Sequence, residues 1–133
     1  HLQLPRVGAS LAELRENAFK PFAALRDWPM GMSAHVVYEE IDDLPATISP
    51  KMIGLIRKEI GFDGLLMSDD ISMEALGGSL AERSTAALAA GCDVILHCNG
   101  RLDDMQQIAA DSGVLSPEGQ RRALAALHRR CDP

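Results

Sequence analysis

Apolar and polar positions along this chain follow two periods, one helical and one extended, and the two alternate. From Leu11 to about Leu25 apolar residues recur at helical spacing, and Ser10 and Glu13 have the spacing of a capping box, in which the two side chains satisfy orphan backbone N–H groups. Met30 to Val37 reads as a short buried strand. After a loop broken by Pro45, Ser49-Pro50 opens a second helix, with serine as N-cap and proline in the first turn, where its missing N–H costs nothing. That helix runs to about Ile60 and ends at Gly61. Gly64 to Met67 is a second strand, followed by Ser68-Asp69-Asp70. A third helix covers about Leu80 to Ala90 and stops at Gly91. Asp93 to His97 is a third strand, and helices follow over about Leu102–Ala110 and Pro117–Arg130.

This alternation predicts an α/β fold of parallel strands joined by crossover helices. The second and third strands are continuous apolar runs, the pattern of strands covered on both faces. A length of 133 residues without an internal repeat fits one domain over 1–133. Three strands leave two sheet edges open, which predicts self-association through them.

The polar residues collect at one end of the strands. His35 lies near the end of the first, Ser68, Asp69 and Asp70 follow the second, and His97, Cys98 and Asn99 follow the third. In a parallel sheet or barrel that edge is where ligands bind, because loops and helix N-termini converge there. Asp69-Asp70 stands out, since burying a carboxylate is expensive unless it is paired. The residues alone leave three readings open: a carboxylate nucleophile, a divalent-cation site, or one aspartate capping a loop beside a solvated one. His35 and His97 are site candidates or satisfied, partly buried histidines. His128 and Arg121, Arg122, Arg129 and Arg130 read as a solvated helix face, and the six methionines as core filler.

Charge narrows the classes. Acidic residues number 19 against 13 basic ones, a net charge of -6, which lacks the basic footprint of a nucleic-acid binder. No apolar run approaches the ~20 residues that span a bilayer, and no signal-peptide pattern opens the chain. Cys92, Cys98 and Cys131 are odd in number and include no Cys-x-x-Cys, so neither a disulfide framework nor a zinc site is expected, and the default compartment is a reducing one. No metal or cofactor is expected.

Several segments together resemble the bacterial glycoside hydrolase family 3 β-N-acetylhexosaminidases. They are Met32-Ser33-Ala34-His35-Val36, Pro45-Ala46-Thr47-Ile48-Ser49, Gly61-Phe62-Asp63-Gly64, Ser68-Asp69-Asp70-Ile71-Ser72-Met73 and Ala90-Gly91-Cys92-Asp93. The resemblance implies a (β/α)8 barrel, of which these would be the last three βα units. It implies a cytoplasmic enzyme that releases terminal N-acetylglucosamine from peptidoglycan-derived muropeptides by retaining hydrolysis through a covalent intermediate. In that scheme Asp69 is the nucleophile, and His35, Asp70 and Met73 bind substrate. His1, in His1-Leu2-Gln3-Leu4-Pro5, matches the family's general acid/base histidine. Two adjacent acids repel if both face the substrate, so Asp70 is expected to turn toward backbone N–H groups or a basic side chain.

The departures matter as much. The aspartate that should stand two residues before His1 has no counterpart, nor does the family's upstream Lys-His-Phe-Pro-Gly-His-Gly. A whole barrel takes ~250 residues. The expectation is therefore a partial barrel truncated at the N-terminus and inactive alone. The alternatives are a non-catalytic receiver-like domain binding Mg²⁺ at Asp69-Asp70, and a truncated sugar-binding pseudoenzyme.

Overall fold

Ser10 caps the first helix as its spacing predicts: the Glu13 N–H donates to Ser10 Oγ at 3.3 Å, and the Ser10 N–H donates to Glu13 Oε2 at 2.9 Å. The computed structural model describes residues 3–131. In chain order the elements are β1 (Arg6–Val7), α1 (Leu11–Glu13), a π-type turn (Leu14–Ala18), α2 (Phe19–Ala24), β2 (Met30–Met32) and β3 (Val37–Tyr38). A 3-10 turn (Ala46–Ile48) then precedes α3 (Pro50–Leu55), a second π-type turn (Ile56–Ile60) and β4 (Leu65–Asp70). Finally come α4 (Leu80–Ala90), β5 (Val94–Leu96), α5 (Leu102–Ser112) and α6 (Pro117–Cys131). Gly61 and Gly91 adopt positive φ (80° and 113°) at the helix ends, the conformation that made glycine the stop signal.

β2, β4 and β5 form a parallel three-stranded sheet in that order, with β4 central. α4 is the crossover between β4 and β5. Among the described residues β2 and β5 have no outer neighbour in this sheet. Buried Leu14, Phe19, Ile53, Leu66, Ile71 and Ala87 belong to the core between sheet and helices.

Three expectations need correction. The first strand does not continue to Val37. It stops at Met32, and Val37–Tyr38 instead pairs in parallel with β1, an element not expected at all. Ser33 still donates its N–H to Met67 O of β4, and residues 34–36 leave the sheet because the loop beyond offers other partners: the Ala46 N–H donates to Val36 O and the Thr47 N–H to Ala34 O. The methionines are not all core. Met52 is buried, but Met30, Met32 and Met105 are exposed.

Nor is Arg122 on a solvated face. It donates to Asp93 Oδ1 at 3.0 Å, and Arg57 donates to Asp93 Oδ2 at 2.7 Å. The Asp93 side chain is only 5% exposed, and Oδ2 also takes the Leu66 N–H. Asp63 gathers both Arg121 and Arg122. This network ties α6 and the turn after α3 to the beginnings of β4 and β5, the sheet end opposite the acidic pair. In a parallel barrel that end is concerned with stability.

Candidate active site

The C-terminal half of β4 carries Ser68, Asp69 and Asp70, which lie in the strand rather than after it. Beside them the β4–β5 register is irregular between Met67 and Asp70. The buried Ser68 Oγ takes the Leu96 N–H there at 2.9 Å, so a side chain replaces a ladder acceptor.

Asp69 is half-buried. Its Oδ1 accepts the Asp70 N–H at 2.8 Å and its Oδ2 accepts the His35 N–H at 3.3 Å. No basic side chain is bonded to it among the described residues. Asp70 is turned away, as consecutive residues of one strand are. Its Oδ1 accepts from the Ser72 N–H (3.0 Å) and the Cys98 N–H (3.1 Å), and the Ser72 hydroxyl bonds its carboxylate as well. Burial alone would raise the Asp70 carboxyl. The donors from Ser72 and Cys98 and the charge of His97 outweigh it and hold the group below its ordinary value.

His35 lies beneath this pair, nearly fully buried. Nε2 meets the Asp70 carbonyl oxygen at 2.9 Å, so Nε2 carries a proton, and Nδ1 meets Thr47 Oγ1 at 3.0 Å. Thr47 Oγ1 bonds Ser33 Oγ at 2.9 Å, and Ser33 Oγ accepts the Asp69 N–H at 3.2 Å. A closed ring of hydrogen bonds thus runs from the Asp69 backbone through Ser33, Thr47 and His35 to the Asp70 backbone. The Met73 N–H donates to the same Asp70 carbonyl at 3.1 Å.

Asp69, Asp70, His35 and Met73 are therefore together. His1 lies outside the described residues. Sequence reasoning missed Ser33 and Thr47, and it missed Arg83 on α4, whose Nη1 donates to Ile71 O (3.2 Å) and Met73 O (3.1 Å) and holds the loop after Asp70. Ser33 and Thr47 lay inside segments quoted for the resemblance. Arg83 gave no signal, since its partners are carbonyls. Among the described residues no three His, Cys, Asp or Glu side chains group to hold a metal ion, and no helix is long and apolar enough to cross a membrane.

The model of the glycosyl hydrolase family 3 N-terminal domain matches residues 1–124. The chain belongs to glycosyl hydrolase family 3. It is similar to the beta-hexosaminidase of Idiomarina loihiensis, 38% identical over 131 residues that make up 96% of this chain and 40% of the relative. The beta-hexosaminidase of Chromobacterium violaceum is 37% identical over 134 residues, 97% of this chain and 36% of the relative. Among solved structures, NagZ from Neisseria gonorrhoeae in complex with N-trifluoroacetyl-D-glucosamine aligns with a TM-score of 0.77 at 34% identity, covering 95% of this chain and 37% of that one. The chain thus spans well under half the length of these relatives. Its α/β arrangement of parallel strands is consistent with a partial barrel, with Asp69 and Asp70 at the C-terminal end of β4, and family membership sets aside the receiver-like alternative.

Proposed function

We propose that this family 3 chain supplies the nucleophile side of a retaining β-N-acetylhexosaminidase site. Residues 1–133 are then the C-terminal portion of the barrel, and the remaining strands come from the rest of the assembled enzyme. The observation that carries the reading is Asp69. Asp69 is half-buried at the end of β4, its carboxylate held by two backbone N–H groups and bonded to no basic side chain among the described residues, while its neighbour Asp70 is engaged elsewhere. A carboxylate that attacks an anomeric carbon must be ionised, accessible and held still.

The steps follow from retaining chemistry. Asp69 attacks the anomeric carbon as an acid protonates the leaving oxygen, and water then releases the sugar. His1 is the proposed acid/base, because imidazole titrates close to working pH. His35 and Asp70 serve the bound sugar by fixing the Asp69 segment, and Met73 borders the same loop. The substrate proposed is a terminal N-acetylglucosaminide of peptidoglycan-derived muropeptides, met in the cytoplasm. The sugar derivative named for the gonococcal relative is likewise an N-acylated glucosamine. The 133-residue chain by itself is expected to turn over little substrate and to self-associate through β2 and β5.

The test is a chimera in which this chain replaces the matching 131 residues of the Idiomarina loihiensis relative. A 5-fluoro N-acetylglucosaminyl fluoride should label the peptide containing Asp69, and Asp69→Asn should lower kcat at least about a thousandfold. Label on a different acid, or an unchanged kcat, refutes the proposal. Sugar binding without turnover selects the pseudoenzyme.

A further inference from the structure

His97 directly follows β5, at the sheet end where Asp69 and Asp70 stand. Its side chain is only 7% exposed, and neither ring nitrogen has a hydrogen-bond partner among the described residues. The ring lines a groove of about 740 Å³ between β5 and α5, beside Val94, Met105 and Ile108. A buried imidazole that gives up its water and gains no partner is a net loss to the fold, so such a group calls for an explanation.

The charged groups nearby come from β4 and α5. Asp70, at the end of β4, is held low partly by the charge of His97. At the start of α5, Asp104 Oδ2 lies 3.8 Å from His97 Nε2, just beyond hydrogen-bond reach. The same oxygen accepts Asn99 Nδ2 at 3.1 Å and stands 3.4 Å from Arg101 Nε. The residue after His97 is Cys98, whose N–H donates to Asp70 Oδ1 at 3.1 Å. Asp70 in turn donates its own N–H to Asp69 Oδ1 at 2.8 Å.

We infer that His97 is a positioning residue. By pairing with Asp104 it holds the first turn of α5 against the end of β5, and this keeps the Cys98 N–H on Asp70 and, one bond further, the Asp69 carboxylate in place. The 3.8 Å separation is within ion-pair range, and a bond from Nε2–H to this oxygen would be a strong one because its acceptor is ionised. Calling Asp69 the beneficiary in catalysis rests on the hexosaminidase reading. The coupling from Asp104 to Asp69 does not.

Amide hydrogen exchange, followed residue by residue in the full chain, tests it. His97→Leu and Asp104→Ala should each speed exchange at Cys98 and Asp70 about tenfold, while Ala87 on α4 keeps its original rate. His97→Gln, whose amide can donate to Asp104, should restore most of the protection. Unchanged rates at Cys98 and Asp70, equal acceleration at Ala87, or no rescue by glutamine would each overturn the inference. Asp104→Ala carries the test if His97→Leu does not fold. Exchange needs no turnover, so an inactive chimera with this local pattern removes the hexosaminidase reading and leaves the coupling standing.

Discussion

His35 Nε2 lies 2.9 Å from the Asp70 carbonyl oxygen, while the His35 backbone N–H reaches Asp69 Oδ2 at 3.3 Å. One buried histidine therefore fixes both acidic residues, the first through its carboxylate and the second through its backbone. Removing the ring leaves Thr47 Oγ1 short of a partner in a dry setting. His35→Leu should destabilise the chain by about 2–4 kcal/mol, because two buried hydrogen bonds are lost and apolar bulk faces polar groups. Denaturant midpoints with unchanged m-values measure this, and a loss under half a kcal/mol would mean that the ring is dispensable.

Asp93 is the anchor at the opposite end of the sheet. Asp93→Ala takes the buried carboxylate from Arg57 and Arg122, both mostly buried, leaving Arg57 only carbonyl acceptors and Arg122 only the exposed Asp63, and should cost about 3 kcal/mol. Asp63 also meets Arg121 and Arg122 but its side chain is 64% exposed, so Asp63→Ala should cost less than about 1 kcal/mol. Thermal melts of the two variants side by side check the ordering. Equal losses would show that burial of Asp93 does not set its importance.

Asp70 predicts a pH dependence. Its carboxyl is held below the ordinary value in the folded chain, so the unfolded chain binds the proton more readily. The stabilisation from Asp70 is fully present above the unfolded carboxylate value of about 3.9 and is lost as pH falls through the lower folded value. Asp70→Asn should flatten that acid limb. Stability from urea titrations should fall more steeply in the natural chain than in Asp70→Asn as pH drops below about 4. Parallel curves would show that Asp70 is not linked to folding.

Two cysteines should differ in reactivity. Burial pushes the Cys92 thiol up to about 11, whereas Cys98 is exposed. At pH 8 iodoacetamide should modify the native chain at Cys98 and spare Cys92, since only an accessible thiolate reacts. Peptide mapping by mass spectrometry reads the outcome, and rapid labelling of Cys92 in folded protein would contradict the packing around it.

Much of this was legible in the residues because it is local. The Ser10–Glu13 box, the Ser49-Pro50 start and the glycine stops at 61 and 91 are satisfied within a few residues of themselves, so their chemistry shows in short windows. The parallel strands were legible from apolar runs, and Asp69-Asp70 from the expense of placing acids beside such a run. That Asp70 turns away was expected from like-charge repulsion once the resemblance placed Asp69 toward substrate, with backbone N–H groups or a basic side chain as its partner; the structure supplies the N–H groups of Ser72 and Cys98.

The remainder depended on partners far away in sequence. Nothing near Arg122 reveals that Asp93 lies against it, 29 positions earlier, and nothing near Met32 shows that the strand ends there because residues 34–36 find partners in the loop at 46–47. Short β1 pairs 31 positions onward and has no local stabilisation of its own. The sequence by itself therefore determined the helices, the three main parallel strands and the acidic pair, since these rest on spacing and hydrophobicity. Only the tertiary structure decided which donors hold each carboxylate, because hydrogen bonds and buried ion pairs exist only once distant segments are brought within 3 Å or so of one another.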